Sequence, residues 1–302
     1  MTNMYRWPLA LVLAGAAFVA WSASSAPISY TDLLARPRSA ATLARHYGLE
    51  PDQVAELFLP KREGPIRTVV LIHGGCWLAK IPGTVLMDYL AEDLRKRGFA
   101  VWNIDYRRIG ENGGGYPGTF LDVAKAMDTL RDIAPAYKLD LSRLFVVGHS
   151  AGGHLAVWAA ARPHLPHDSV LYETDPLPVS AVVSLAGIND LADYRDHGPS
   201  ACGGPSTIDS LVGPPSGTRK DVYADTSPSR LLPIGARQVL VSGSLDPIVP
   251  PRFAKNYGAM AKASGDKVEL LTIAGAGHFE LIDPTSDAWK QIEPVIEALE
   301  KN

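Results

Sequence analysis

Residues 143–161 read RLFVVGHSAGGHLAVWAAA, and the pattern changes at Ser150. Before the serine stands a continuous apolar run, as expected of a strand buried on both faces of a sheet. After it stands an alanine-rich run with helical spacing that stops before Pro163. The turn between them reads Gly148-His149-Ser150-Ala151-Gly152, a G-x-S-x-G match. In a strand–turn–helix setting this pattern lifts a serine hydroxyl to the top of a sheet. A side chain at Gly148 or Gly152 would collide with neighbouring backbone in so sharp a turn. The helix beyond the turn points its N-terminal dipole at the same place, which favours negative charge there. Ser150 is therefore the candidate nucleophile, and the Ala151 N–H is one candidate oxyanion donor.

Working outward, apolar runs alternate with amphipathic ones. VAELFLP (54–60), RTVVLIHGG (67–75), FAVWNIDYR (99–107), VSAVVSLAG (179–187), RQVLVSG (237–243) and KVELLTIAG (267–275) read as strands. Residues 85–98, 119–134, 250–265 and 286–301 read as helices, and 40–47 as a short helical pattern. Such alternation predicts one α/β domain over 27–302 with a mainly parallel sheet and helices on both faces. Sites in such sheets lie outside the carboxyl ends of the strands. Residues 189–232 break the alternation with many Gly, Pro, Ser and Asp, and are expected to form a small cap over that end.

Two further segments end strands with chemistry-bearing residues. HGGCW (73–77) offers a glycine loop whose N–H groups can turn inward, so Gly75 and Cys76 are candidates for the second oxyanion donor. His73 is expected to brace this loop. SLDPIVPP (244–251) places Asp246, and AGAGHFELID (274–283) places His278. The order Ser150, Asp246, His278 is that of one of the three serine-triad arrangements, with His278 as general base and Asp246 orienting it. Two nearer histidines compete. His149 should point away from Ser150 because neighbours in a tight turn diverge, and His154, one helical turn on, has no sequence-adjacent acid. His46, His164, His167 and His197 read as surface or loop residues, with His197 in the cap. Trp77, Tyr106 and Tyr116 are candidates for lining a substrate pocket. No HExxH or Cys/His cluster is present, so neither metal nor other cofactor is expected.

The 302 residues carry a formal charge of -3, with 46% hydrophobic and 20% charged residues, enough for a large unstapled core. No basic stripe suits nucleic acid. Residues 1–26 differ from the rest: Arg6 is the sole charge, an apolar run spans 7–21, and small residues follow to Ala26. That is the layout of a signal peptide cleaved between Ala23 and Ala26, the alternative being a retained anchor. The run is shorter than the about 20 residues of a spanning helix, so no stable membrane span is expected after cleavage. Either way the body faces an extracytoplasmic space, periplasmic or secreted. There the two cysteines, Cys76 and Cys202, can form one disulfide or remain separate thiols.

With these residues assembled, the chain resembles the α/β-hydrolase superfamily, and within it the bacterial esterase, lipase and kynurenine-formamidase-like group. HGGCW resembles the group's HGGxW oxyanion loop, and GHSAGGH (148–154) its elbow. The tail VSGSLDPIVPP…AGAGHFELID is similar to that of prolyl-oligopeptidase-like hydrolases. The resemblance covers nearly everything after about Pro60. It implies a triad of Ser150, Asp246 and His278 and an oxyanion hole of Gly75, Cys76 and Ala151. It also implies hydrolysis of a small-molecule carboxylic ester with a small or medium acyl group, with amide or formamide hydrolysis and an inactive binding protein as the alternatives. Kynurenine formamidases typically carry tyrosine where this chain has Cys76, which weakens the formamide alternative.

Overall fold

The structure is a computed structural model that describes Met1 and residues 27–299, so the leader expected over 1–26 lies, Met1 apart, outside the described residues. Among those residues eight strands form one sheet: β1 (Leu43–His46), β2 (Val54–Phe58), β3 (Ile66–Ile72), β4 (Ala100–Ile104), β5 (Leu139–His149), β6 (Ala181–Leu185), β7 (Arg237–Gly243) and β8 (Val268–Ile273). Their spatial order is β1-β2-β4-β3-β5-β6-β7-β8. β2 pairs antiparallel with β1 and β4, and every later neighbour pair is parallel. The apolar runs are legible because the central strands are covered on both faces. All residues of β4 and β6 are buried, and six of the seven in β3 and in β7. Each such Val, Leu or Ile contributes about 1.5–3 kcal/mol on burial. With its flanking helices this is the α/β-hydrolase fold.

The helices are α1 (Tyr30–Leu34), α2 (Asp88–Lys96), α3 (Gly118–Asp128), α4 (Leu130–Tyr137), α5 (Ala151–Ala161), α6 (Leu191–His197), α7 (Pro205–Val212), α8 (Arg252–Ala263) and α9 (Trp289–Ala298). α5 is buried along its whole length and packs on β3, β5 and β6. A Cβ on Gly153 would lie 2.7 Å from the Gly187 Cα, so helix and β6 loop approach at glycine distance.

Three sequence expectations change. The helical pattern over 40–47 is instead the edge strand β1, whose residues are mostly exposed and therefore show no alternation. Pairing with β2, Leu43 opposite Leu57, overrides the local propensity. The helix expected over 119–134 is two, parted at Thr129. Residues 189–232 hold α6, α7 and 3-10 turns at Ser200–Cys202 and Pro228–Arg230. Those helices are too short, at seven and eight residues, to show a period among glycines and prolines. No helix among the described residues is long and apolar enough to cross a membrane.

Candidate active site

Ser150 joins β5 to α5 with φ 56° and ψ -119°. A non-glycine residue held there stores strain of about 1–3 kcal/mol, so the surroundings must fix it. Its N–H donates to the Leu185 carbonyl at the end of β6, 2.8 Å away. A Cβ on Gly152 would overlap the Ile72 and His73 carbonyl oxygens, and one on Gly148 would overlap the Gly152 carbonyl oxygen. Both glycines of the turn are thus required by close backbone approach, as the sequence suggests.

The loop after β3 passes beside the serine. A Cβ on Gly74 would stand 3.1 Å from the Ser150 Cβ. Gly75, Cys76 and Trp77 then take φ of 107°, 53° and 56° in succession. Among the described residues the N–H groups of Gly75 and Cys76 find no protein acceptor. Ala151 opens α5, where the first N–H groups of a helix have no intrahelical partner. His73 braces the loop from below. Its Nδ1 lies 2.7 Å from the Gly74 carbonyl oxygen and its Nε2 2.9 Å from Asp105 Oδ1. The ring stacks on Tyr106 at 4.3 Å, and the Tyr106 hydroxyl donates to the His73 carbonyl. Burial would raise the Asp105 pKa, but His73, with help from Arg108 and the Tyr106 N–H, outweighs it and holds this carboxyl below its usual value.

Cys76 and Cys202 form a disulfide, with Cα atoms 5.3 Å apart, which resolves the alternatives left by the sequence. It joins the Gly75–Cys76 loop to the 189–232 segment. A second tie runs from that segment to the acid loop, where the Tyr194 hydroxyl of α6 donates to the Ile248 carbonyl.

Asp246 and His278 leave the ends of β7 and β8. Asp246 Oδ1 accepts the N–H groups of Ile248 and Val249, and Oδ2 receives His278 Nδ1 at 2.6 Å. Both side chains are nearly sealed from solvent. The loop of His278 rests on the elbow: its carbonyl accepts from His149 Nε2 at 3.1 Å, and the two rings are 4.4 Å apart. No hydrogen bond joins Ser150 Oγ to the His278 ring among the described residues. Such contacts are often long without a bound substrate.

The rival histidines have other occupations. His154 is wholly buried, its Nε2 2.8 Å from the Thr226 carbonyl, and burial lowers its pKa to about 4. His149 is held neutral by burial and by His278, well below the ordinary histidine range. Trp77 is completely buried, edge-on to His154 at 5.3 Å, so it packs beneath the loop rather than facing solvent. Tyr106 is likewise buried. Tyr116 is half-buried, its hydroxyl donating to Asp225 while Arg219 lies 3.5 Å over its ring. His197 is exposed on α6, paired with Asp193. No three His, Cys, Asp or Glu side chains among the described residues are grouped to hold a metal ion. Sequence reading overlooked Asp105, which holds His73, Tyr194, which ties α6 to the acid loop, and Glu280, whose carboxylate accepts the Gly277 N–H just before His278. Asp105 follows the apolar run of β4 directly, so the rule that sites lie at strand carboxyl ends could have found it. The other two carry no sequence signal, since only the fold supplies their partners.

A family model, BD-FAE, matches residues 55–258, spanning β2 through most of α8. The chain belongs to the BD-FAE family. Esterase LipC of Mycobacterium tuberculosis is 28% identical over 249 residues, covering 78% of this chain and 59% of that protein. Isoprenylcysteine alpha-carbonyl methylesterase ICME of Arabidopsis thaliana is 26% identical, covering 78% and 56%. Kynurenine formamidase of Danio rerio is 25% identical, covering 80% and 75%. This BD-FAE chain thus spans between half and three-fifths of the first curated relatives' length. Among solved structures, a truncated carbohydrate esterase from gut microbiota aligns with a TM-score of 0.72 at 22% identity, covering 88% of this chain and 98% of that one. An inhibited esterase B from Lactobacillus rhamnosis aligns with a TM-score of 0.74 at 17% identity, covering 89% and 92%. These likenesses support the α/β-hydrolase fold.

Proposed function

We propose that this chain hydrolyses a small-molecule carboxylic ester through an acyl-enzyme on Ser150. The observation that carries the reading is the buried Asp246–His278 pair, 2.6 Å apart, whose loop is docked on the elbow beside Ser150. LipC and ICME, named as esterases, support the same reaction class. In the first step Ser150 Oγ attacks the ester carbonyl and its proton passes to His278 Nε2. Asp246 holds the imidazole tautomer and balances the imidazolium that forms. The carbonyl oxygen becomes an oxyanion facing the N–H groups of Gly75, Cys76 and Ala151. Such donors are preorganised, so no reorganisation is needed as charge develops. The imidazolium then protonates the leaving alcohol. Water, deprotonated by His278, releases the acid and restores the serine.

Formamide hydrolysis is the second reading, favoured by the kynurenine formamidase relative. The 189–232 segment acts as a cap, supported by its ties to Cys76 and to Ile248. The disulfide also suits an oxidising, extracytoplasmic compartment, in keeping with the leader. The test is turnover of p-nitrophenyl esters of increasing chain length beside N-formylkynurenine. Ser150→Ala should lower kcat by about a millionfold, as in other triads. A folded Ser150→Ala protein retaining a tenth of the activity, roughly, would end this reading.

A further inference from the structure

His278 follows β8, the outer strand of the sheet, so no neighbouring strand among the described residues supports its loop on that side. The support comes from residues ahead of the sheet. Pro27 packs on Gly277: a Cβ on Gly277 would stand 2.6 Å from the Pro27 Cβ. The Ile28 N–H donates to Glu280 Oε1 at 2.5 Å, while Glu280 Oε2 accepts the Gly277 N–H at 3.0 Å. One carboxylate therefore ties the N-terminal segment to the peptide just before His278. Tyr30 lies 6.0 Å from the Phe279 ring, and Phe279 packs edge-on to His278 at 5.0 Å and against His149 at 5.8 Å.

The segment is itself well fixed. Ser29 and Asp32 form a capping box on α1, and Leu33 is fully buried. Beyond α1, Arg36 donates to Asp283 at 2.6 Å and to Thr285 at 3.1 Å. Burial would raise the Asp283 pKa, but Arg36 and Thr285 more than offset it and hold that carboxyl below its usual value. Residues 27–36 are thus fastened to the 277–285 stretch at both ends.

We infer that residues 27–36 are a positioning strap for His278, acting through Glu280 and Phe279. The inference rests on the reading of His278 as general base. A base must stand within hydrogen-bond reach of the proton it takes, and a displacement of about 1 Å can cost on the order of a hundredfold in rate. A loop leaving an edge strand has room for such displacement. The strap removes it by clamping the backbone on one side of His278 and the neighbouring ring on the other.

The test uses the full chain with Glu280→Ala, Glu280→Gln, Tyr30→Ala and the pair Tyr30→Ala/Glu280→Ala. Each is assayed on p-nitrophenyl acetate from pH 5 to 9, with the thermal midpoint recorded. Glu280→Ala is expected to lower kcat about tenfold or more with KM nearly unchanged, and to move the acid limb of the kcat/KM profile. Gln keeps one acceptor oxygen and is expected to recover part of the loss. The double variant should lose less than the product of the single losses, because both act through one loop. Should Glu280→Ala fail to fold, Tyr30→Ala carries the test, since that ring is 37% exposed. The strap reading is overturned if folded variants keep kcat and the acid limb within about twofold of wild type, whatever their thermal midpoints. His278→Ala runs alongside: if it retains turnover, the base assignment fails, an outcome separate from failure of the strap.

Discussion

Four buried histidines, His73, His149, His154 and His278, cluster at or near Ser150, and hydrogen bonding sorts them. His149 and His154 each have a ring nitrogen at a backbone carbonyl and no carboxylate partner. His73 faces Asp105, yet its second nitrogen is taken by the Gly74 carbonyl. Of these four, His278 alone combines a carboxylate on Nδ1 with an Nε2 that no protein group among the described residues engages. That distinction was legible in the sequence only as spacing and order. A different residue gives a prediction about pH. Asp88 at the start of α2 has its pKa pushed up to about 7, first by burial and then by nearby Glu56, against the pull of Arg38 and Asn103. The native state therefore binds a proton where the unfolded carboxylate, near about 3.9, does not. Protein stability should fall as pH rises from about 4 to about 7 on this account, then level off. Asp88→Asn removes that penalty and is expected to stabilise the fold at pH 8 by about 1–3 kcal/mol while changing little at pH 4. Urea unfolding at both pH values checks this. Equal destabilisation at both would show that the charge of Asp88 is not what the fold resists.

At the scale of elements, the loop after β3 is held by unlike devices: His73 beneath it and the disulfide above it. The bridge spans a sequence separation of 126, worth about 5 kcal/mol in the chain-entropy model. Three successive positive φ values are hard to keep without such ties. Cys76→Ser/Cys202→Ser is expected to lower the thermal midpoint and to reduce kcat about tenfold more than it changes KM, because the Gly75 and Cys76 N–H groups proposed as oxyanion donors would loosen. Unchanged kcat in a destabilised variant would reduce the bridge to a structural staple. That the chain turns sharply after β3 was readable, since glycine permits the positive φ seen at Gly75. The pairing of Cys76 with Cys202 was not, because only the fold shows that the two Cα atoms approach. β1, α6 and α7 were missed for a common reason. Exposed edge strands and one- or two-turn helices bury too few residues to leave a period.

In the whole molecule, parallel pairing from β4 through β8 gathers the loops after β3, β5, β7 and β8 at one end. Asp246 and His278, far apart in sequence, meet through that topology, and the His278 loop rests on His149, next to Ser150. The sheet's central strands could be read from apolar runs because both faces are covered. The N-terminal strap could not, since its partners lie some 250 residues away, as in the Ile28–Glu280 contact with a separation of 252. The central claim is that this assembly makes Ser150 a nucleophile. Intact-mass analysis of the full chain after reaction with a fluorophosphonate tests it most directly. One adduct per chain, located on Ser150 and absent from Ser150→Ala, is the expected result. A folded chain that stays unlabelled, or that carries its label on another residue, would contradict it.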